Sequence, residues 1–193
     1  HFATFAVNDG QGRYLNCPLI VDGREEASRT PYLTRELTDR ALAFIDGTGG
    51  QPFCLYLSHK AAHYPWTPAP GLAGIYADQP VRLPQGATVW TGFTGGQVWG
   101  GFDRPLPQAY RSYMETITSL DREIGRLLDH LNERGLGDAT VVVYASDNGF
   151  LFGEHGRVEL RWPFEEVLRI PLLIHAPGMA AAGRPAMQMA LNI

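Results

Sequence analysis

One polar cluster in this sequence, residues 146–149, carries residue types that bind hard cations. Asp147 supplies a charged oxygen and Asn148 a neutral one, directly after the apolar run 141–145. Calcium and similar divalent cations prefer such oxygen donors, and Gly149 permits a tight turn beside them. Calcium takes about six to eight oxygens, so two donors form only part of a site. Taken alone, Asp-Asn-Gly is more often a plain turn.

A second cluster follows the apolar run 52–58. Lys60 and His63 lie three residues apart, which allows a positive charge and a titratable imidazole to converge on an anionic group. Pro65 constrains the turn that follows. A single histidine at a strand end is more often a hydrogen-bonded structural residue, and it is the pairing with Lys60 that favours a binding role.

A third cluster begins at residue 153 and ends at residue 169. His155 could donate a hydrogen bond to an anion. Glu165 and Arg169 have the spacing of an ordinary ion pair on a helix. Each of the three clusters is a weak signal by itself, and their order along the chain is more informative.

The elements around these clusters predict an α/β fold with a mostly parallel sheet flanked by helices. The runs 52–58 and 141–145 have the composition of strands, and the second that of a strand covered on both faces. Between them, residues 110–134 have helical periodicity, with apolar residues at Tyr113, Met114, Ile117, Leu120, Ile124, Leu127, Leu128 and Leu131. A strand, a helix and a parallel strand would bring the two strand ends, with their polar clusters, to one sheet edge.

The remaining elements are shorter. The sequence predicts an edge strand at residues 17–21, a helix at residues 34–45 and a last strand at residues 170–175. Residues 67–107 form a long excursion rich in Gly and Pro. Its tryptophans could line a cleft or simply pin a surface loop to the protein, and the sequence favours neither.

Composition excludes several classes of function. The 193 residues are enough for one domain with a sizeable core, and the net charge of -4 argues against nucleic acid as a partner. No apolar run approaches about 18 residues, so no membrane span is predicted. Cys17 and Cys54 are isolated, which supports neither a zinc site nor a disulfide framework. The chain begins at His1, within a loop-like stretch, and is expected to be a piece of a longer polypeptide.

The order of three segments, residues 52–68, 110–149 and 153–178, resembles the sulfatase family of the alkaline phosphatase superfamily. The resemblance covers most of residues 30–178. It implies an alkaline phosphatase-like fold that is incomplete here, with residues 1–193 as part of one catalytic domain. It also implies hydrolysis of sulfate esters, with a divalent metal that is most often calcium.

The resemblance assigns roles to individual residues. It implies that Asp147 and Asn148 bind the metal, and that His63 contacts the sulfate ester and donates a proton to the leaving oxygen. Lys60 and His155 are expected to contact substrate. At residue 160, where the family has a lysine that approaches the sulfate, this chain has leucine, which offers no charge or donor. Arg161 is the residue that could compensate if the backbone presents it.

The nucleophile of the family is missing from this chain. It is a cysteine converted to formylglycine within a Cys-x-Pro-Ser-Arg segment, and neither Cys17 nor Cys54 lies in one. The adjacent pair of aspartates that completes the metal site is also missing. The isolated chain is therefore expected to be inactive, and the complete enzyme to attack sulfur with hydrated formylglycine encoded upstream.

Two alternatives remain open at this stage. A related enzyme could hydrolyse phosphodiesters or phosphonate esters, although Asn148 replaces a histidine common in those enzymes. A non-catalytic module could bind a sulfated glycan or a protein, which Leu160 supports. The expected substrates are sulfated carbohydrates or aryl sulfates. Tryptophans can stack on sugar rings, which favours carbohydrates, but they also fill cores. The four tryptophans of the chain are Trp66, Trp90, Trp99 and Trp162. Oligomeric state and compartment are not predicted, although the family is frequently exported.

Overall fold

A computed structural model describes residues 1–5, 11–85, 87, 104–179, 183 and 185. The chain divides into two compact units, the first formed by His1–Val81 and Pro107–Leu131, the second by Arg82–Leu106 and Asn132–Ile193. Within the described ranges, no helix is both long and apolar enough to cross a membrane. Trp90 and Trp99 lie outside these ranges.

The first unit begins with a small antiparallel sheet. Its strands are β1 (Ala3–Phe5), β2 (Leu19–Val21) and β3 (Arg24–Glu26). Strand β2 lies between the other two, with Ile20 opposite Thr4 on one side and Glu25 on the other. The predicted strand at residues 17–21 is thus present, but it is central rather than at an edge, because β1 gives it a second neighbour.

Helix α1 (Leu33–Gly47) covers this sheet and confirms the predicted helix at residues 34–45. Its apolar face recurs at three and four residues, as an amphipathic helix requires. Leu33 and Leu37 pack with Cys17 and Leu19 in a hydrophobic core. All four side chains are almost fully buried there. The amphipathic spacing of α1 therefore matches the face that it buries.

Helix α2 (Leu106–Glu133) is the longest element and confirms the helix predicted at residues 110–134. Its most buried stripe is partly polar, however, because two backbone N–H groups of the preceding loop need acceptors there. The N–H of Ala69 donates to Ser119 Oγ at 2.9 Å, and the N–H of Gly74 donates to Glu115 Oε1 at 2.9 Å. Ile117, predicted on the apolar face, is partly exposed instead.

Residues 52–58 were predicted to form a strand, and this prediction is wrong for the structure described. The segment has no strand assignment, although its side chains alternate as in extended chain: Phe53 and Leu55 are partly covered, whereas Tyr56 is 91% exposed. Alternation requires only an extended backbone, but a strand also requires a neighbour with which to pair. No neighbour is present in the described part of the chain, so the predicted parallel βαβ unit is not formed there.

The second unit contains two strand pairs and a short helix. Strand β4 (Val142–Ala145) pairs antiparallel with β7 (Leu172–His175), and β5 (Leu151–Phe152) pairs with β6 (Val158–Glu159). One turn of helix, α3 (Glu165–Leu168), precedes β7. The predicted strands at residues 141–145 and 170–175 are therefore both present.

The environment of β4 differs from the prediction that both of its faces are buried. Val143 and Leu173 are each 59% exposed, and Ile174 and Tyr144 are exposed as well. The pair β4–β7 is a two-stranded ribbon that no layer covers among the residues the structure describes. A run of β-branched residues indicates a strand suited to burial, but burial itself depends on elements elsewhere in the fold.

Candidate active site

His63 lies in a tight turn that follows the extended segment 52–58. Its backbone N–H donates to the carbonyl of Lys60 at 2.7 Å. Its ring Nδ1 contacts the carbonyl oxygen of Tyr64. Because a carbonyl oxygen only accepts, Nδ1 must carry the proton. In that tautomer Nε2 is the ring nitrogen that carries no hydrogen in the neutral imidazole.

Two buried aromatic side chains, Tyr14 and Trp66, donate hydrogen bonds to the backbone of this turn. The hydroxyl of Tyr14 donates to the carbonyl of His63 at 2.7 Å and lies 3.5 Å from the carbonyl of Lys60. The indole Nε1 of Trp66 donates to the carbonyl of Ala62 at 2.9 Å. Trp66 is only 3% exposed, so it belongs to the core, and the hypothesis that it stacks on a sugar ring is wrong.

Lys60 is more buried than an exposed anion-binding lysine would be. Its side chain is 6% exposed, and its Nζ lies 5.3 Å from the centre of the Tyr14 ring, within the range of a cation–π contact. Burial lowers the pKa of Lys60, and a smaller electrostatic effect of Cys17 opposes that shift. A sulfate group would have to compete with the Tyr14 ring for this ammonium.

His59 is a partly buried residue to which the sequence assigned no role. Its Nδ1 is buried without a hydrogen-bond partner in the described part of the protein, and burial lowers its pKa to about 4. The imidazole is thus neutral near pH 7. Alternation along residues 53–59, which points His59 to the same side as Leu57, is the signal that could have identified it as buried.

We expect His59 to make the protein less stable in mild acid. Its folded pKa lies below the unfolded value of about 6.5, so the stability it contributes is present above pH 6.5 and is lost as the pH falls toward 4. Lowering the pH from 7 to 5 should cost about 2 kcal/mol through this group. Urea unfolding at both pH values measures the difference, and His59→Asn should reduce it. An equal pH effect in the variant would contradict the expectation.

Asp147 and Asn148 follow β4 directly and form a compact polar turn. Asp147 Oδ1 accepts the backbone N–H of Asn148 at 2.9 Å and lies 3.4 Å from Ser146 Oγ. Asn148 Nδ2 donates to the carbonyl of Gly149 at 2.8 Å. That bond orients the amide so that Oδ1 is the atom Asn148 can offer to a cation. The turn thus presents one charged and one neutral oxygen from adjacent residues.

This donor set fits part of a divalent metal site. A carboxylate and an amide oxygen suit calcium, which also needs further ligands. No group of three or more acidic, histidine or cysteine side chains that could hold a metal occurs among the residues the structure describes. The remaining ligands would therefore come from substrate, water or protein outside these residues.

Gly149 is required by close packing rather than by the turn alone. Its N–H donates to the carbonyl of Val167 at 2.8 Å. A Cβ at this position would lie 1.9 Å from the carbonyl oxygen of Glu166. The backbone of α3 therefore packs directly against the turn that carries Asp147 and Asn148, a contact that the sequence did not predict.

Replacing Gly149 with alanine should reduce the free energy of unfolding by about 3 kcal/mol, because the added methyl meets a backbone atom that cannot rotate away. The matched control is Gly125→Ala in α2, where an added Cβ meets nothing within 4 Å. That change should be neutral or stabilise the protein by about 0.5–1 kcal/mol. Equal urea midpoints for the two variants would contradict the packing assigned to Gly149.

His155 lies beside the same helical turn. Its Nε2 is 3.1 Å from Glu166 Oε2, and its ring stacks on Phe164 at a centroid distance of 4.1 Å. The backbone N–H of Glu166 and then the His155 imidazole keep the pKa of the Glu166 carboxyl below its usual value. Glu166 therefore connects His155 to Gly149, since its side chain contacts the first and its carbonyl oxygen packs against the second.

Arg161 and Leu160 complete the predicted set. The Arg161 guanidinium forms an ion pair with Glu159, and the Leu160 side chain is half-buried. The structure thus brings Lys60 and His63 together in one unit. In the other unit, His155 contacts the Glu166 side chain, and Asp147 and Asn148 lie in the turn whose Gly149 packs against the Glu166 carbonyl. Tyr14 and Glu166 are the functional candidates that sequence reasoning missed, because each acts through a contact distant in sequence.

Comparison with known proteins identifies the family. The sulfatase family model matches residues 4–191. An N-acetylglucosamine-6-O-sulfatase of Bacteroides thetaiotaomicron is 41% identical over 86 residues, which is 45% of this chain and 15% of that protein. An N-acetylglucosamine-6-sulfatase of Capra hircus is 27% identical over 187 residues, covering 86% of this chain and 32% of that protein.

Solved structures show the fold. A structure described as a complex with its substrate D-glucosamine-2-N,6-O-disulfate superposes with a TM-score of 0.76 at 24% identity, covering 92% of this chain and 49% of that one. The chain thus spans about half of that structural relative and a third or less of the two sequence relatives. The α/β, alkaline phosphatase-like fold class predicted from the sequence is confirmed. The chain belongs to the sulfatase family, whose members are sulfuric ester hydrolases and generally use a divalent metal.

Proposed function

We propose that the protein containing this chain is a sulfatase that removes sulfate from a sulfated carbohydrate such as a 6-O-sulfated glucosamine. The observation that carries the proposal is the contact between His63 Nδ1 and the Tyr64 carbonyl, which favours the Nδ1–H tautomer and leaves Nε2 as the nitrogen proposed to deliver a proton. Family membership over residues 4–191 and the names of the similar proteins support the choice of substrate class. Aryl sulfates are the simpler substrates expected of the same site.

His63 is proposed to act as the general acid. Cleavage of the S–O bond leaves a negative charge on the sugar oxygen, and a sugar alkoxide is a poor leaving group. Nε2 of protonated His63 would donate its proton to that oxygen as the bond breaks, so the product leaves as a neutral alcohol. The hydrogen bonds from Tyr14 and Trp66 to the carbonyls of His63 and Ala62 hold the main chain that carries the imidazole.

Asp147 and Asn148 are proposed to hold part of a divalent metal site, with calcium as the ion that their oxygens favour. The metal, when bound, would supply positive charge that stabilises the sulfate oxygens. The carboxylate of Asp147 contributes the negative charge that attracts the ion, and the bond from Asn148 to the Gly149 carbonyl keeps its amide oxygen oriented.

Three further residues are proposed to contact the sulfate ester: Lys60, His155 and Arg161. In the structure each contacts another group, namely the Tyr14 ring, Glu166 and Glu159. A sulfate group would therefore have to compete with these partners. Leu160 cannot contribute a charge, so Arg161 is the cation nearest in sequence to the position of the family lysine. All of these residues are proposed to belong to one catalytic domain spanning residues 1–193.

The proposal is tested by measuring sulfate release from N-acetylglucosamine 6-sulfate and from 4-nitrophenyl sulfate. We expect turnover by the full-length protein and none by the 193-residue chain, which has no Cys-x-Pro-Ser-Arg segment. Turnover by the isolated chain would contradict the fragment interpretation. Faster hydrolysis of 4-nitrophenyl phenylphosphonate than of either sulfate ester would favour a phosphonate ester hydrolase.

A non-catalytic module is the second candidate, and Leu160 is the observation that favours it, because it removes a cation from the expected sulfate pocket. A full-length protein that binds a sulfated glycan, hydrolyses none, and has no Cys-x-Pro-Ser-Arg segment in its reading frame would support this candidate over the enzyme.

A further inference from the structure

Two stacked tyrosines lie beneath the turn that carries His63. Tyr14 and Tyr32 are almost fully buried, with ring centroids 6.0 Å apart and ring planes inclined by 18°. They come from different segments of the first unit, Tyr14 from the loop before β2 and Tyr32 from the residue that caps α1. An isolated bridge between Leu15 and Tyr32 joins the two segments. The rings therefore form one rigid platform.

Both hydroxyls donate to backbone carbonyls of the turn. Tyr14 donates to the carbonyl of His63 at 2.7 Å, and Tyr32 donates to the carbonyl of Thr67 at 3.0 Å. The two bonds hold the main chain at His63 and at Thr67. Burial raises the pKa of both tyrosines, so each hydroxyl keeps its proton and remains a donor throughout the neutral range.

These bonds leave His63 little freedom. Its N–H is held by the Lys60 carbonyl, its carbonyl by Tyr14, and its ring by the carbonyl of Tyr64. Of these three restraints, only the bond from Tyr14 comes from a distant part of the chain, 49 residues away in sequence. It therefore ties the orientation of His63 to the core of the unit. A displacement of about 1 Å in a catalytic group can cost about 100-fold in rate.

We propose that Tyr14 and Tyr32 are positioning residues, whose hydroxyls hold the main chain of residues 63–67 so that the His63 imidazole points Nε2 at the leaving oxygen. This inference rests on the proposed function, which makes His63 the proton donor. It assigns the two tyrosines to the active site although neither needs to touch substrate.

Tyr14→Phe tests the inference in the full-length protein, since it keeps the stacked ring and removes only the donor. We expect kcat for N-acetylglucosamine 6-sulfate to fall by about 10-fold with KM changed by less than about twofold. For 4-nitrophenyl sulfate, whose leaving group departs without a proton, the fall should be less than about threefold. Tyr32→Phe should have a smaller effect in the same direction, because its bond is farther from His63.

The matched control is Tyr76→Phe in the same unit. It removes a hydroxyl bonded to Thr118 Oγ1 at 2.8 Å, away from the turn. The control should leave the ratio of the two rates unchanged. Hydrogen exchange followed by mass spectrometry gives a second measurement, in which Tyr14→Phe should speed exchange in peptides covering residues 60–67 and leave α2 as in the wild type.

The possible results separate the inference from the proposed function. Equal losses on both substrates, or faster exchange throughout the protein, would mean that Tyr14 serves only stability and would overturn the inference. Unchanged kinetics of Tyr14→Phe in an active protein would also overturn the inference, but it would leave the proposed function intact. A wild-type protein that hydrolyses no sulfate ester would contradict the proposed function itself, and the inference with it.

Discussion

Replacing His63 with glutamine should lower kcat for N-acetylglucosamine 6-sulfate by about 10²–10⁴-fold in the full-length protein, the usual contribution of a general acid. Glutamine has a similar reach and can donate a hydrogen bond, but it has no proton to transfer. The loss should be much smaller for 4-nitrophenyl sulfate, because 4-nitrophenolate leaves readily without protonation. The dependence on leaving group is the signature of a proton donor, and initial-rate kinetics with the two substrates measures it.

The matched control for this variant is His130→Gln. His130 belongs to the same unit and pairs through Nε2 with Asp46 at 2.8 Å. This contact is partly exposed, so its loss should cost less than about 1 kcal/mol in stability and leave kcat unchanged. If His63→Gln lost activity equally on both substrates, His63 would serve binding or folding rather than proton donation.

Asp147→Ala should weaken calcium binding by the full-length protein by at least about 100-fold. Even partners outside the ligand shell commonly change metal affinity by about 10–100-fold, and Asp147 is proposed as a charged ligand. Isothermal titration calorimetry measures the change. The 193-residue chain alone should bind calcium weakly or not at all, because it offers only two adjacent oxygen donors.

Asp138→Ala is the control for charge. Asp138 is an exposed carboxylate of the same unit, in the short 3-10 turn Gly137–Ala139 before β4. Its removal changes the net charge equally and should leave calcium affinity unchanged. Absence of calcium binding by the wild-type full-length protein would contradict the metal site, and the non-catalytic module would then become the better interpretation.

The helices could be predicted from the sequence because their signal is local. In α1, Leu37, Ala41 and Ile45 repeat at helical spacing and are buried. The same reasoning located α2, but it placed Ile117 on the buried face, where the structure buries Ser119 and Glu115. Those polar residues are buried because a loop distant in sequence offers them N–H donors. Periodicity carries no information about such partners.

In the candidate site, too, the sequence identified residues by local pattern but not the partners that are distant in sequence. His63, Asp147 and Asn148 could be selected from residue type, position after apolar runs and resemblance to sulfatases. Tyr14, whose hydroxyl bonds to the His63 carbonyl, could not, because a tyrosine in a Gly-rich loop has no pattern that reveals its partner. Glu166 was equally hidden, since its carbonyl packs against Gly149 and its carboxylate contacts His155 only in the folded chain.

By itself the sequence determined the positions of α1, α2, β4 and β7, the family, and the residues with suitable chemistry. Only the tertiary structure decided that residues 52–58 are extended but unpaired, that β4 is exposed, and that Trp66 is core. The physical reason is that helical periodicity and strand composition arise from neighbours along the chain. Strand pairing, burial and the orientation of His63 depend instead on atoms that folding brings together from distant segments.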